Sequence, residues 1–232
     1  MHSRSSSPAI RRDFARVPEA IVQQASAFPA SVLADVAGRR GTLDGRIMAI
    51  SSRARVAGPA FTVEVRPGDN LMIHAAIAIA QPGDVIVVDG KGDRSCALMG
   101  AIMMTACKTL GIAGVVLDGS HRDTEEILAL GYPVYSVGAN PNGPTKNVPG
   151  RINWPISCGG VAISPGDLVV GDGDGVVVVE REKVESLLQL AAKKIEEERA
   201  RIKDIVSGRN IRPKWLDGSL RAAGLLRDGE TL

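Results

Sequence analysis

The sequence predicts a mixed α/β sandwich with a C-terminal helical extension. Three observations predict it. Short β-branched runs alternate with short helical stretches through the middle of the chain, and both halves also carry strand-rich, helix-poor stretches. Of the 232 residues 44% are hydrophobic but only 3% aromatic, so the core is made of Val, Ile, Leu and Ala. Gly (26) and Pro (13) are plentiful, yet the apolar fraction is too high for disorder. This length suits one sizeable domain with an extension.

In chain order, residues 1–12 read as a flexible tail. Residues 13–207 read as the domain and 208–232 as an arm. Apolar residues at helical spacing (Ile21, Ala25, Val32, Leu33, Val36) predict a helix over Val17–Ala37, stopped by Gly38 and Gly41. Ala49–Val65 predicts one or two strands around a Gly58-Pro59 turn. Pro67-Gly68-Asp69-Asn70 opens a small-residue helix, Leu71–Ala80. Two similar units follow, Pro82-Gly83-Asp84 before Val85–Val88 and Pro165-Gly166-Asp167 before Leu168–Val170. Each is a tight turn feeding a buried strand. Between them lie a helix at Gly100–Leu110, a strand at Ile112–Leu117, a helix at Thr124–Leu130 and a strand at Tyr132–Val137. A Pro/Gly/Asn loop spans 138–150, Gly-rich strands run to Val179, and a long helix covers 183–206.

Several function classes are excluded. Basic and acidic residues number 28 and 26, a net of +2, without the concentrated basic excess of a nucleic-acid binder. No run of about 18 apolar residues exists to cross a membrane. The N-terminus lacks the apolar region of a secretory signal, which predicts a cytoplasmic protein. Cys96, Cys107 and Cys158 form no CxxC pair and read as small core residues. Gly90–Ser95 lacks phosphate-loop spacing. Gly171-Asp172-Gly173-Asp174-Gly175 lacks the ligand spacing of an EF-hand and reads as a tight turn.

The stretch Gly111–Glu126 is where chemistry is expected. A buried strand ends in Asp118-Gly119, and His121, Arg122 and Asp123 follow at a helix start. Ligand sites of α/β proteins lie at the carboxyl ends of strands. Asp123 suits a hard divalent cation there, and Arg122 suits a carboxylate or a developing oxyanion. Asp123 also reads as an N-cap, with Glu126 three residues on completing a capping box. His121 reads as structural. Gly100, at a helix N-terminus, allows backbone N–H groups to approach an anion closely.

Gly100, then 21 residues, then Arg122-Asp123-Thr124-Glu125-Glu126 resembles the signature of class II, metal-dependent pyruvate aldolases. These are the 4-hydroxy-4-methyl-2-oxoglutarate / 4-carboxy-4-hydroxy-2-oxoadipate aldolases, in one superfamily with the regulator of ribonuclease activity A. Some members carry a dimethylmenaquinone methyltransferase label. RVAGPAFTV (55–63), PGDNL (67–71), PGDVIVVDG (82–90), GIAGVVLDG (111–119) and the 158–179 segment extend the resemblance over residues 25–208.

The resemblance implies an αββα sandwich of the swivelling β/β/α type, assembled as a homotrimer or homohexamer with sites between subunits. It implies that Asp123 holds Mg²⁺ or Mn²⁺, mostly through waters. Arg122 would contact the 2-oxo acid and stabilise a pyruvate enolate. The amides of Gly100, Ala101, Ile102 and Met103 would hold its carboxylate. A neighbouring subunit's Glu197, or else Glu196 or Glu198, would order the metal-bound waters. Many relatives have Glu where Ala101 stands; the backbone contacts survive that change, while a Glu carboxylate's role does not. The expected reaction is retro-aldol cleavage of a short 4-hydroxy-2-oxo acid to pyruvate, with oxaloacetate decarboxylation through the same enolate as a side activity. Two other readings stand beside it. One is a non-catalytic regulator binding a ribonuclease or another protein. The other is a Schiff-base lyase using Lys91 or Lys108.

Overall fold

The computed structural model describes residues 9–232. It is a mixed α/β fold around one mostly parallel sheet. The helix expected over Val17–Ala37 is two helices, α1 (Glu19–Ala25) and α2 (Ala30–Val36), parted before Pro29. A proline has no N–H to give and biases the residue before it away from helical angles, so periodicity alone overran the break.

A two-residue strand, β1 (Met48–Ala49), precedes β2 (Val56–Glu64). Gly58-Pro59 is not a turn, as expected from the pair, but lies inside β2. There the strand changes partners. Val56–Pro59 pair antiparallel with β9 (Leu168–Asp172), and Ala60–Glu64 pair parallel with β3 (Val85–Met99). A Cβ at Gly58 would overlap the carbonyl of Gly83, so the glycine lets β2 cross the turn before β3.

The crossovers run through α3 (Leu71–Ile79), α4 (Ala101–Thr109) and α5 (Thr124–Leu130). They lead to β3, β4 (Gly114–His121) and β5 (Val134–Ala139). The sheet order is β1-β5-β4-β3-β2-β9-β10, with β10 at Gly175–Val179 and β6 (Arg151–Ile152) also pairing with β2. A separate hairpin joins β7 (Ile156–Cys158) and β8 (Val161–Ile163).

Both faces of the central strands are buried, so they read as unbroken apolar runs instead of alternating ones. Ile86, Val88, Val115 and Leu117 pack with Ile73, Met104 and Ile127 from α3, α4 and α5. Their neighbours Val85, Val87 and Val116 pack on the other side with Cys158, Ile163, Val169 and Val178. A fully buried side chain such as Ile73 or Met104 contributes roughly 1.5–3 kcal/mol relative to exposure. Cys96, Cys107 and Cys158 are free and buried. The Gly171–Gly175 stretch closes the β9–β10 hairpin, with Gly175 opposite Asp172. One Asp172 oxygen accepts from Asp174 N–H in that turn, and the other accepts from Ala30 N–H at the start of α2.

Residues 1–8 of the expected tail lie outside the described residues. Residues 9–12, the rest of that stretch, are tied to the fold, and so are those that follow. Ile10 bridges to Ile152, the Arg11 guanidinium lies 3.2 Å from the Trp154 ring centre, and Arg16 makes a two-pronged ion pair with buried Asp84 at 2.7 and 2.9 Å. Removing one member of a fully enclosed pair costs about 3–5 kcal/mol. Arg16 is 22% exposed, and Asp84 also accepts from Gln81 N–H, so Arg16→Met should lose about 2 kcal/mol in urea unfolding. A loss under about 0.5 kcal/mol would mean the pair is only decorative.

The long helix α6 (Val184–Val206) buries only Val184, Leu188 and Ala191. The chain divides there into two compact units, ending and starting at Ala191 and Ala192, earlier than the boundary at 207 expected from sequence. Beyond Ala191 the helix is dense in charge and exposed. Within the second unit, Asp204 ties the helix end to Arg209 and Asn210, and Arg212 pairs with Asp217 at the start of α7 (Leu216–Ala222). Among the described residues, no helix is long and apolar enough to cross a membrane.

Candidate active site

Strand register builds the site. Met99 is paired with His121 at the carboxyl ends of β3 and β4, and Arg122 N–H donates to the Met99 carbonyl at 3.0 Å. The residues that follow each strand therefore meet. Gly100 opens α4 on one side, and Arg122-Asp123 open α5 on the other. A Cβ on Gly100 would overlap Asp123 Oδ2 and lie 3.0 Å from Arg122 Cγ. Gly100 has φ −142° and ψ −172°, an extended conformation open to any residue. Glycine is required there for room.

Asp123 occupies the left-handed region, φ 63° and ψ 46°. Such a backbone is strained by about 1–3 kcal/mol, and Asp is among the residues that tolerate it best. The expected capping box does not form, since the Asp123 side chain makes no bond to its own helix. Its Oδ2 instead accepts the N–H of Ala101, 2.9 Å away, at the start of α4. Arg122 Nε lies 3.8 Å from the same oxygen. The Arg122 fork reaches toward the loop after β5, where a Cβ at Gly143 would lie 3.2 Å from Nη1.

A cavity of about 170 Å³ opens over these groups. Gly100, Ile102, Met103, Arg122 and Asp123 are among the residues that line it. Ala101 does not line it, and its N–H is given to Asp123. The N–H groups of Ile102 and Met103, in the first turn of a nine-residue helix, have no earlier turn to bond to and are suited to an anion. Sequence reasoning missed the three further lining residues with polar side chains, Asn70, His74 and Lys146. Asn70 donates to the Leu98 carbonyl at 2.8 Å, and its Oδ1 is buried without a partner among the described residues. Burial, then the charge of Lys146, lowers the His74 pKa, which keeps its ring neutral at pH 7.

His121 is buried with Nδ1 2.7 Å from Ser136 Oγ and Nε2 2.9 Å from Thr124 Oγ1. Burial lowers its pKa against the opposing effects of Gly138 and Asp123, so it is a neutral structural group. Lys91 and Lys108 both lie off the cavity. Burial would lower the Lys91 pKa, but Asp89 at 2.6 Å and Glu64 at 3.2 Å outweigh it and raise it, the wrong direction for a Schiff-base amine. Lys108 donates to the Leu130 carbonyl. Glu197 stands in the second unit, 3.8 Å from Lys193, on a charged groove of about 470 Å³ with Lys194, Glu198 and Trp215. That groove is the larger concavity, but it has no strand ends or helix-start amides, so the chemistry is better served at Gly100–Arg122.

The donor set bears on a metal. Among the described residues no three His, Cys, Asp or Glu side chains are grouped to hold one, and Asp123 is the cavity's single carboxylate. That suits Mg²⁺ or Mn²⁺, which keep several waters and take one or two carboxylates plus substrate oxygens. It does not suit a structural zinc site with four protein ligands.

Known proteins resemble this chain over most of its length. The profile of the RraA-like family, described as Aldolase/RraA, matches residues 19–178. A protein of Halalkalibacterium halodurans named "Putative 4-hydroxy-4-methyl-2-oxoglutarate aldolase" is 43% identical over 180 residues, covering 78% of this chain and 86% of that protein. The crystal structure of Streptomyces coelicolor RraAS2, described as an unusual member of the RNase ES inhibitor RraA protein family, superposes with a TM-score of 0.75. It is 30% identical, over 82% of this chain and 99% of that one. The structure described as the RNA-processing inhibitor RraA from Thermus thermophilis has a TM-score of 0.60 and 29% identity, over 65% of this chain and 91% of that one.

Proposed function

The chain belongs to the RraA-like, Aldolase/RraA family, and we propose that it is a metal-dependent lyase that cleaves a 4-hydroxy-2-oxo acid of the 4-hydroxy-4-methyl-2-oxoglutarate type to release pyruvate. The observation that carries this reading is the meeting of Gly100, Arg122 and Asp123 at the ends of β3 and β4. The name of the Halalkalibacterium halodurans relative supports the substrate class.

In this reading the Ile102 and Met103 N–H groups bind the C1 carboxylate, and Arg122 lies beside the 2-oxo oxygen. Cleavage breaks the C3–C4 bond as the C4 hydroxyl passes its proton to a solvent water and C4 becomes the carbonyl carbon of the departing fragment. The electron pair moves onto C3 and the 2-oxo oxygen, leaving a pyruvate enolate. Arg122 meets charge that exists only as that enolate forms, which is what accelerates a reaction. Asp123 would hold a Mg²⁺ or Mn²⁺ ion, which supplies Lewis-acid polarisation of the 2-oxo group. The bond from Ala101 N–H to Oδ2 holds the Asp123 carboxylate in place. Oxaloacetate decarboxylation leads to the same enolate, so it follows as a side activity. Glu197 of a neighbouring copy in a trimer or hexamer is proposed to order waters at the ion.

Pyruvate release from 4-hydroxy-4-methyl-2-oxoglutarate and from oxaloacetate should vanish in EDTA and return with Mg²⁺ or Mn²⁺. Asp123→Ala should remain inactive throughout. Activity that persists in EDTA would remove the metal, and no release from either substrate would remove the lyase. The second case would favour a regulator that binds a protein of the RNA-processing machinery, a reading suggested by the names of the two RraA structures.

A further inference from the structure

The Pro/Gly/Asn loop after β5 holds the one Asn-Gly pair of the sequence, Asn142-Gly143. An asparagine side chain is open to attack by the backbone nitrogen that follows it. A glycine at that next position leaves the approach unobstructed. The structure decides which of the six asparagines can react this way. Asn70 and Asn153 are buried, at 3% and 1% exposed. Asn140 precedes Pro141, which has no N–H. Asn147 precedes Val148, which is branched at Cβ and donates its N–H to Asp69 at 3.2 Å. Asn210 precedes Ile211, also branched. Asn142 is exposed, and the Gly143 N–H makes no hydrogen bond among the described residues.

The pair lies beside Arg122. An added Cβ on Gly143 would sit 3.2 Å from Arg122 Nη1. Asn142 itself is tied to β3 through its backbone. Its carbonyl accepts Ala97 N–H at 2.9 Å, and its N–H donates to Asn140 Oδ1 at 2.8 Å. Asn140 Nδ2 donates in turn to the Arg94 carbonyl at 2.7 Å. The Asn142 amide faces the Ser95 carbonyl, with Nδ2 3.5 Å away. A carboxylate in its place has no proton to offer Ser95, so it turns away from that carbonyl.

We propose that Asn142 is a site of spontaneous deamidation and that its products disturb the Arg122 side of the cavity. The Gly143 nitrogen attacks Asn142 Cγ, ammonia leaves, and a cyclic imide closes. Solvent water then opens the ring at either carbonyl. One opening gives aspartate, the other isoaspartate. Both add a negative charge one residue from the contact with Arg122. In isoaspartate the carbonyl that accepts from Ala97 becomes part of a carboxylate, and the chain to Gly143 gains a carbon. A shift of Gly143 near 1 Å against Nη1 costs about 10²-fold in rate. The modification does not depend on the lyase reading; only its effect on turnover does.

The full chain is incubated at mildly alkaline pH, and its peptides are mapped by mass at intervals. The peptide containing Asn142 should change from amide to acid, with isoaspartate, before any other asparagine peptide does. Its rate should rise with pH, because the Gly143 nitrogen must lose its proton to attack. Asn142→Gln should stay unmodified there, since its ring closure takes in one more carbon. The modified fraction, separated by anion exchange, should exchange the Ala97 amide hydrogen faster and release pyruvate about 10²-fold more slowly. Asn142→Gln aged alongside should keep the rate it started with. Acid appearing first at another asparagine, none at residue 142, or a modified fraction with unchanged Ala97 exchange or turnover would overturn the proposal. If fresh and modified protein alike release no pyruvate, the lyase reading fails, and the peptide map and Ala97 exchange decide this proposal alone.

Discussion

Arg122→Lys should lower kcat for pyruvate release by about 10²–10³-fold, the range seen when one donor to a developing oxyanion is removed. The charge survives this change but the fork does not. In the structure Nε lies 3.8 Å from Asp123 Oδ2, and Nη1 extends toward Gly143, where an added Cβ would lie 3.2 Å away. A lysine ammonium is a single point charge on a flexible stem, so the donor facing the 2-oxo oxygen is no longer set by a planar fork. The side chain is 45% exposed, so the unfolding midpoint should stay where it is. KM should change less than kcat, because the enolate charge is absent from the ground state. A variant with wild-type kcat and raised KM would show that Arg122 binds substrate without stabilising the enolate.

Gly100→Ala should be nearly as damaging. Its backbone angles are open to alanine, so the effect comes from one methyl group placed where Asp123 Oδ2 now sits. The carboxylate must swing out and give up the Ala101 N–H. A displacement near 1 Å in a reacting constellation costs about 10²-fold in rate. Activity should fall by at least that, and Mg²⁺ should bind more weakly in a direct titration. Restored room restores function only if Asp123 is what the methyl displaced. Full activity in Gly100→Ala would mean that the Asp123–Ala101 contact has no part in the reaction.

Local signals were enough for much of this. The helix at Thr124–Leu130 follows from its apolar spacing and closing Gly131, and the buried strands follow from their β-branched runs. The pairing of Gly100 with Arg122-Asp123 was legible from motif spacing. What Asp123 does was not. Asp-x-x-Glu next to a helix reads as a capping box, and only the register of β3 against β4 brings Ala101 close enough to take the carboxylate. Asn70, His74 and Lys146 escaped for a related reason. They come from a helix start and a loop that share no periodic pattern with the strand ends. The usable signal was Asp69-Asn70 after the Pro67-Gly68 turn, two short polar side chains at a helix start, together with one Lys in a loop of Pro, Gly and Asn. Gly58-Pro59 misled because the pair signals a turn wherever local chemistry decides, whereas in β2 it marks an exchange of strand partners.

That exchange also governs how the chain comes together. The first residues of β2 find their partner in β9, with Val56 against Gly171, while the following residues pair with β3, much nearer in sequence. During synthesis the α3–β3–α4–β4 portion can assemble as it emerges, but β2 stays half-zipped until the Leu168–Asp172 segment has been made. Closing so long a loop is slow, and until then one edge of the nascent sheet lies open to the wrong strand. Aggregation during expression is therefore best opposed by chaperones that cover this edge before β9 appears and release it once the Leu168–Asp172 segment can pair.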